Sequence, residues 1–283
     1  MRRWGRAMAA GVLGAVLCLP GAARDGAAGG PRLTVKGTEF EIVHADGTIQ
    51  RGTGVVGATM DLAAADGSSL RLRIDAAWHD PRDADGDVLL YRISVFDPAG
   101  GQWSDLCPAD QDGLRAALPM AGSWTEAGEH LPTEEFSLSC TGGAQAKCVR
   151  LGYKPWKSTP GGASLWKHHQ ACVRLLRADY CGDGRSHTVD GTAVNIFDDA
   201  AIQVRADAGM SFEAGWGPEG AVCLRKVRIP DIARLQDVRA ACPRLAAQPD
   251  CTEARARGLG ALLFNESADG EGGQAGLPAE ANP

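Results

Sequence analysis

Residues 164–184 read SLWKHHQACVRLLRADYCGDG, and this stretch organises the second half of the chain. Side chains that can be buried recur in it at helical spacing and share one face. They are Leu165, His169, Cys172, Val173, Leu176 and Tyr180. Ser164 can cap the amino end, and Gly182 follows the last turn. The pattern therefore predicts a helix over 164–180 that packs through one face and ends beside a cysteine.

The preceding residues, 32–106, predict a β-rich subdomain. In LRLRID at 70–75 apolar and charged residues alternate, and the segment 89–95 has the same period of two. This is the pattern of strands with one buried face. Asp-Gly steps favour tight turns and separate the predicted strands at Asp46-Gly47, Asp66-Gly67 and Asp85-Gly86. We expect a meander that forms a sandwich or a barrel-like sheet.

The region 107–264 combines cysteines, tryptophans and helical segments. The step Asp190-Gly191 predicts a β-hairpin after the first helix, Pro230 begins a second helix, and Thr252 opens a third. Residues 265–283 have no apolar periodicity and predict a disordered tail. The expected fold class is α+β, in which a β-rich meander precedes a cysteine-rich, disulfide-stapled α+β region.

The amino-terminal segment 1–23 has the features of a secretory signal peptide. Three arginines precede an apolar stretch at 7–19, and small residues follow, so we expect cleavage after Ala23. A membrane-spanning helix needs about 20 apolar residues, so this stretch is too short to be one. Residues 24–31 would link the cleavage site to the folded part. The mature chain is expected to be extracytoplasmic, in the periplasm or outside the cell, and to have no transmembrane span.

Eight cysteines follow the expected cleavage site, and an even number in an exported chain predicts disulfide bonds. Pairing neighbours along the chain closes the shortest loops. This reasoning predicts the bonds Cys140–Cys148, Cys172–Cys181, Cys242–Cys251 and, for the remaining pair, Cys107–Cys223.

Composition and charge exclude several classes of protein. The chain has 283 residues, of which 44% are apolar and 23% charged, and it contains 37 glycines. This composition is globular with many loop formers, and it excludes a collagen, a coiled coil and a wholly disordered chain. The formal net charge of -6 gives no basis for binding nucleic acid, which favours a basic face. The sequence lacks the motifs of phosphate loops, serine hydrolases and zinc proteases, so we predict neither a cofactor nor a metal.

Ionisable side chains concentrate between 168 and 190. Cys181 and His187 supply a thiol and a base for nucleophilic chemistry, and Asp179 and Asp183 add carboxylates to His187 for a hydrolase. A structural interpretation competes with both, because an exported cysteine among eight is normally bridged. We favour the structural interpretation, in which the cysteines staple a helix end to the following loop.

Two further patterns resemble metal sites. His168 and His169, with Asp183 or His187, offer ligands, but adjacent residues on a helix point in different directions. The acidic run DPRDADGDV at 80–88 resembles a calcium loop but lacks the residue order of an EF-hand. We favour a structural role for the histidines and a solvent-exposed hairpin tip for the acidic run.

The segment CVRLGYKPW brings Arg150, Tyr153, Lys154 and Trp156 close together. Basic and aromatic side chains in such a cluster suit a carbohydrate or an anionic ligand. A structural patch in which cations stack on aromatic rings is the alternative. These four residues are the candidates for a binding role.

Three blocks of the sequence resemble the signature of the ADYC-domain family. They are AKCVRLGYKPW at 146–156, HQACVRLLRADYCGDG at 169–184 and SHTVDGT at 186–192, and the second contains the tetrapeptide at 178–181. A looser likeness extends over roughly residues 35 to 200. The resemblance implies an exported bacterial protein of a family with no established activity, so it transfers no catalytic role to any residue.

The most distinctive residues are cysteines, glycines and aromatics, which specify architecture. We therefore expect a non-enzymatic extracytoplasmic binding or structural module, whose partner is an unknown ligand or a component of the cell envelope. A secreted hydrolase with a site around Asp179, Asp183 and His187 is the alternative.

Overall fold

The computed structural model describes residues 31–63, 69–125, 127–159 and 161–269, together with the backbone of 19–21. The fold is α+β, as predicted, with a β-rich first part and a disulfide-bonded α+β second part. Within these residues, no helix is both long and apolar enough to cross a membrane.

The strands, in chain order, are β1 (Leu19–Gly21), β2 (Arg32–Lys36), β3 (Glu39–Val43), β4 (Ile49–Arg51), β5 (Thr59–Ala63), β6 (Ser69–His79), β7 (Leu89–Asp97), β8 (Gln102–Asp105), β9 (Ala117–Trp124), β10 (His130–Cys140), β11 (Val194–Asp198), β12 (Ser211–Gly217), β13 (Gly220–Leu224) and β14 (Leu263–Ser267). The helices are α1 (Ala144–Arg150), α2 (Trp166–Leu176), α3 (Leu235–Ala241), α4 (Pro243–Ala246) and α5 (Glu253–Gly258), with a 3-10 helix at Gly52–Val55.

The first sheet has seven antiparallel strands in the order β1-β10-β9-β7-β6-β5, with β8 beside β7. The predicted alternation is confirmed in β6 and β7, where Leu72 and Ile74 are buried on the core face. Turns occur at Asp46-Gly47 and Asp85-Gly86, as predicted, and Asp66-Gly67 lies outside the described residues. The sheet continues past the expected subdomain boundary at Cys107, because the hairpin of β9 and β10 pairs with β7.

A second sheet, β2-β3-β4, packs across the core face of the first, so the β-rich part is sandwich-like. Phe40 of β3 is fully buried, and its ring makes edge contacts with Tyr91 and Phe136 of the first sheet. The Phe40 N–H also donates to the Tyr91 hydroxyl at 3.1 Å. These contacts fix how the two sheets are stacked.

The opposite face of the first sheet is only partly covered. Near Leu90 it is apolar and lies under Ala146 and Val149 of α1. Alternate residues of a strand share a face, so Arg92 and Ser94 continue the face of Leu90 along β7. This half of the face is open and polar.

The second part of the chain is built on a four-stranded sheet with the order β11-β14-β12-β13. Helix α2 packs on this sheet, with Trp216 fully buried between them and stacked on Tyr180. Two predictions fail here. The hairpin predicted at Asp190-Gly191 does not form, because β11 pairs with β14, which lies far along the chain. Residues 265–267, predicted as the start of a disordered tail, belong to β14, a central strand of this sheet. Residues 270–283 lie outside the described residues.

The eight cysteines are all paired, but with a connectivity that differs from the predicted one. The bonds are Cys107–Cys140, Cys148–Cys172, Cys181–Cys242 and Cys223–Cys251. Loop length was the wrong criterion, because the bonded cysteines are 24 to 61 residues apart in sequence. The packing of α1 beside α2, for example, brings Cys148 to Cys172.

Strand β1 lies inside the predicted signal peptide. Its three residues run antiparallel to 136–138 of β10. The other residues of the predicted leader, and residues 24–30 of the expected linker, lie outside the described residues.

His169 of α2 is fully buried at the interface with α1. Its Nε2 lies 3.1 Å from the carbonyl oxygen of Gln145, so Nε2 carries the proton. Its Nδ1 has no hydrogen-bond partner among the residues that the structure describes. Burial therefore disfavours the imidazolium and lowers the pKa of His169 to about 4.

We expect the free energy of unfolding to decrease as the pH falls from about 7 to about 4. The unfolded chain protonates this imidazole near the ordinary pKa of 6.5, whereas the folded chain does so only near a pKa of about 4, so protons stabilise the unfolded state in that window. Since one pKa unit is worth about 1.4 kcal/mol, the loss from His169 is about 3 kcal/mol. Urea denaturation at several pH values measures it.

The variant His169→Gln keeps a donor for Gln145 and should flatten this pH dependence. His79→Gln, at an exposed histidine, is the matched control and should leave the slope unchanged. A slope in His169→Gln equal to that of the parent protein would contradict the assignment.

Candidate functional site

The loop that carries the tetrapeptide begins where α2 ends. The predicted helix to Tyr180 stops at Leu176, because Ala178 adopts a left-handed backbone with φ 48°. The Arg228 guanidinium donates to the carbonyls of Leu175 and Leu176 at 2.8 and 3.2 Å and so satisfies groups that another helical turn would use. A residue distant in sequence therefore sets the end of the helix.

Asp179 organises the loop from its centre. Its carboxylate is fully buried and accepts the backbone N–H groups of Gly182, Asp183 and Gly184 at 2.9, 3.1 and 2.9 Å. Its other partner is the Arg174 guanidinium at 2.5 Å. Both oxygens are thus engaged in holding backbone and helix together.

Tyr180 is bound on the other side of the loop. Its hydroxyl donates to Oε1 of Glu213 at 3.2 Å and accepts the Arg228 N–H at 2.8 Å. Burial, with the nearby Glu213 carboxylate, raises the pKa of Tyr180 well above its usual range. Glu213 in turn pairs with the Arg228 guanidinium at 3.1 Å, so both charges are buried and compensated.

Cys181 and Gly182 attach the loop to its neighbours. Cys181 is bonded to Cys242 after α3. Gly182 has φ 75°, and a Cβ there would lie 2.1 Å from the Glu219 carbonyl oxygen. Only glycine fits this approach, and it allows the Ala221 N–H to donate to the Tyr180 carbonyl at 3.0 Å.

The three residues proposed for a hydrolase do not form one constellation. The Nδ1 atom of His187 lies 3.0 Å from the Ala178 carbonyl, and the exposed Asp183 accepts the Arg185 N–H at 3.0 Å. The backbone N–H of Asp183 donates to Asp179 at 3.1 Å, but in the described part of the chain no hydrogen bond joins the side chains of Asp179, Asp183 and His187 to one another.

The acidic run at 80–88 is not a free hairpin tip. Asp83, Asp85 and Asp87 surround the Lys154 ammonium, with Nζ to carboxylate distances of 2.5, 2.8 and 2.5 Å. Among the described residues, these three carboxylates lie close enough together to bind one metal ion, and the Lys154 ammonium lies between them. Burial alone would lower the pKa of Lys154, but the hydrogen bonds to the three carboxylates outweigh it and raise this pKa.

The other binding candidates near Lys154 are also engaged internally. The Arg150 guanidinium contacts Asp80 at 2.6 Å, and the buried Tyr153 hydroxyl donates to Asp198 at 2.8 Å. Trp156 is 37% exposed, and its Nε1–H donates to Asp87 at 3.3 Å. Arg150, Lys154 and Trp156 therefore join the acidic hairpin tip to the second part of the chain, whereas Tyr153 binds within that second part, and the four candidates do not form one open surface.

A cleft lies on the open half of the first sheet. Its volume is about 480 Å³, within the range of ligand sites. We call it the sheet-face cleft, and the side chains that line it include Arg73, Asp75, Arg92, Ser94, Trp103 and Asp105. A second cleft, about 290 Å³, is lined partly by the loop after β11.

Two ion pairs fix the side chains of the sheet-face cleft. Arg73 contacts Asp75 at 2.5 Å, and the Ser94 hydroxyl donates to the same carboxylate. Arg92 holds Asp105 through two hydrogen bonds at 2.8 and 3.1 Å. These residues were not among the site candidates predicted from the sequence, although Arg73 and Arg92 occupy outward positions of the predicted strands.

Comparison with protein families gives one match. The family model of the ADYC domain matches residues 52–230, which include the sheet-face cleft, the acidic tip and the tetrapeptide loop. No curated protein and no solved structure matches the chain.

The variant Asp179→Ala should lower the free energy of unfolding by about 3–5 kcal/mol, because Arg174 would remain buried without its partner. Urea denaturation monitored by tryptophan fluorescence measures the change. Asp183→Ala, in the same loop but exposed, should shift it by less than about 0.5 kcal/mol. Equal losses in the two variants would show that Asp179 does not organise the loop.

Replacing Lys154 by methionine should lower the free energy of unfolding by a similar amount, about 3–5 kcal/mol, since Asp83 would lose its ammonium partner and Lys157 alone would face Asp85 and Asp87. Calcium at about 1 mM should restore part of the loss in this variant, because the oxygen ligands become available. Lys157→Met is the matched control. Because Lys157 is half-exposed, its replacement should lower the free energy of unfolding by about 1 kcal/mol or less. A calcium response in the parent protein equal to that in Lys154→Met would refute the role of Lys154.

Proposed function

The chain belongs to the ADYC-domain family, and from the arrangement of its signature we propose that it is an exported, non-enzymatic bacterial module that binds a ligand or a component of the cell envelope. One observation carries the proposal: each functional group of the tetrapeptide is used inside the protein. Asp179 holds the loop, Tyr180 bridges a buried ion pair, and Cys181 is in a disulfide. A catalytic residue needs a functional group that is free to contact a substrate.

Export is supported by the cysteines and by the leader. Four disulfide bonds suit an oxidising compartment. Cleavage after Ala23 would remove β1 and leave the edge of β10 at 136–138 without that partner. The formal charge of -6 argues against a nucleic-acid partner.

The alternative, a secreted hydrolase, has less support. A general base must reach its proton, and a nucleophile must reach its base. His187 is buried and bonded to a backbone carbonyl, and Asp179 is saturated with hydrogen bonds. The remaining candidate, Asp183, is exposed and lacks a basic partner among the hydrogen bonds of the described residues.

Expression of the full chain with its own leader, followed by mass spectrometry without reduction, tests the proposal. The mature protein should begin at Arg24 and contain no reactive thiol, and peptide mapping should give the four pairs of the structure. Hydrolysis of ester, peptide or glycoside substrates should be absent. A free thiol at Cys181, or a hydrolytic activity that disappears in His187→Ala, would contradict it.

A further inference from the structure

The sheet-face cleft lies across three strands whose register brings its residues into rows. Arg73 of β6 is opposite Ser94 of β7, and Ser94 is opposite Asp105 of β8. Asp75 shares the face of Arg73 because alternate residues of a strand share a face, and a β-bulge between Ile74 and Ala76 interrupts the strand pairing beside it. Positions on paired strands are rigid, so the groups that face the cleft are arranged before any ligand arrives.

The charges of the cleft are balanced at short range. Of the charged side chains that line the cleft, Arg73 is paired with Asp75 and Arg92 with Asp105, and Arg115, which lies outside the lining, approaches Asp105 at 3.9 Å. An anionic ligand would meet the two carboxylates, and a cationic ligand would meet the guanidinium groups. The cleft therefore favours a neutral ligand that offers hydrogen-bond donors and acceptors together.

Hydroxyl groups meet this requirement, because each donates one hydrogen bond and accepts others. Neighbouring hydroxyls of a sugar ring can donate to a carboxylate while they accept from an adjacent guanidinium. Asp75, Arg73 and Ser94 present an acceptor, a donor and a hydroxyl at one place.

Trp103 adds a flat apolar wall to this polar floor. Its indole is partly exposed, and the Arg73 guanidinium lies over one face with its carbon 4.5 Å from the ring centroid, so a ligand would contact the part of the indole that Arg73 leaves uncovered. Phe96 supports the ring from the same hairpin at a centroid distance of 5.2 Å. A surface with an aromatic wall and polar groups at its edge suits the C–H faces and the hydroxyl rim of a sugar ring.

We propose that the sheet-face cleft binds the sugar rings of a neutral saccharide, an inference that rests on the proposed function as a binding module. The ion pairs hold the side chains in place, so little side-chain ordering remains to oppose binding. The open shape of the cleft suits a short stretch of a longer glycan chain.

Isothermal titration of the mature protein with maltotriose, cellotriose and N,N′,N″-triacetylchitotriose tests the inference. At least one should bind with a dissociation constant of about 1 mM or tighter. Trp103→Ala and Ser94→Ala should each weaken binding about tenfold or more, which corresponds to the loss of one good contact. Ser94→Ala is the smaller change and keeps the test valid if the tryptophan variant fails to fold.

Arg73→Ala and Arg71→Ala form a matched pair. Both arginines lie on β6 and pair with an aspartate, but Arg71 pairs with Asp61 and does not line the cleft. Binding should fall in the Arg73 variant and remain at the parent value in the Arg71 variant.

Three outcomes would overturn the inference: no neutral trisaccharide binds, only trigalacturonate or trialanine binds, or binding is lost in Trp156→Ala and kept in Trp103→Ala. Its failure is distinguishable from failure of the proposed function. If the protein is disulfide-bonded and hydrolytically inactive but binds no saccharide, only the proposed ligand class is refuted. If it cleaves a bound trisaccharide, the non-enzymatic proposal is refuted, whereas the binding site is confirmed.

Discussion

The end of helix α2 is held by buried charges, and the rest of the second part depends on this arrangement. Arg228 satisfies the last carbonyls of the helix while it pairs with Glu213, and Arg174 pairs with Asp179. Removing charges from water is costly unless each has a partner and its remaining hydrogen bonds are filled, and both conditions hold here. The turn that follows is therefore fixed, and with it the positions from which Cys181 reaches its disulfide and β13 joins the sheet.

The same device joins the two parts of the chain. The Lys154 ammonium lies among the three carboxylates of the acidic tip, and Arg150 contacts Asp80. One cation at the end of α1 and one just after it therefore hold the turn between β6 and β7. Such pairs restrict geometry more than they add stability, because desolvation offsets much of the attraction. The run DPRDADGDV resembles a calcium loop for a physical reason: its carboxylates do surround a cation, supplied by a lysine distant in sequence.

Local patterns predicted the local structure, and distant contacts decided the rest. The alternation of apolar and polar residues was sufficient to predict β6 and β7, because a period of two indicates a strand with one buried face. The end of α2 was not predictable, since Arg228 caps it from 52 residues away. The prediction of the disulfide pairs was wrong for the same reason. The end of β14 was assigned to a disordered tail because its short apolar run pairs only with distant strands. The sheet-face cleft could not be predicted from the sequence, because its residues are brought together by the strand register, which no single segment determines.

The length of α1 explains why the first sheet has an open face at all. A helix of seven residues is about 10 Å long, whereas the nine residues of β7 extend over about 30 Å. The helix can cover only one end of the strand, and the sequence of β7 follows this limit, with Leu90 beneath α1 and Arg92 and Ser94 beyond it. The signature around α2 uses its polar groups to build the protein, and groups that remain accessible to a ligand are concentrated where the helix stops. Architecture and recognition are thus separated in this fold, the first in the tetrapeptide loop and the second on the uncovered strands.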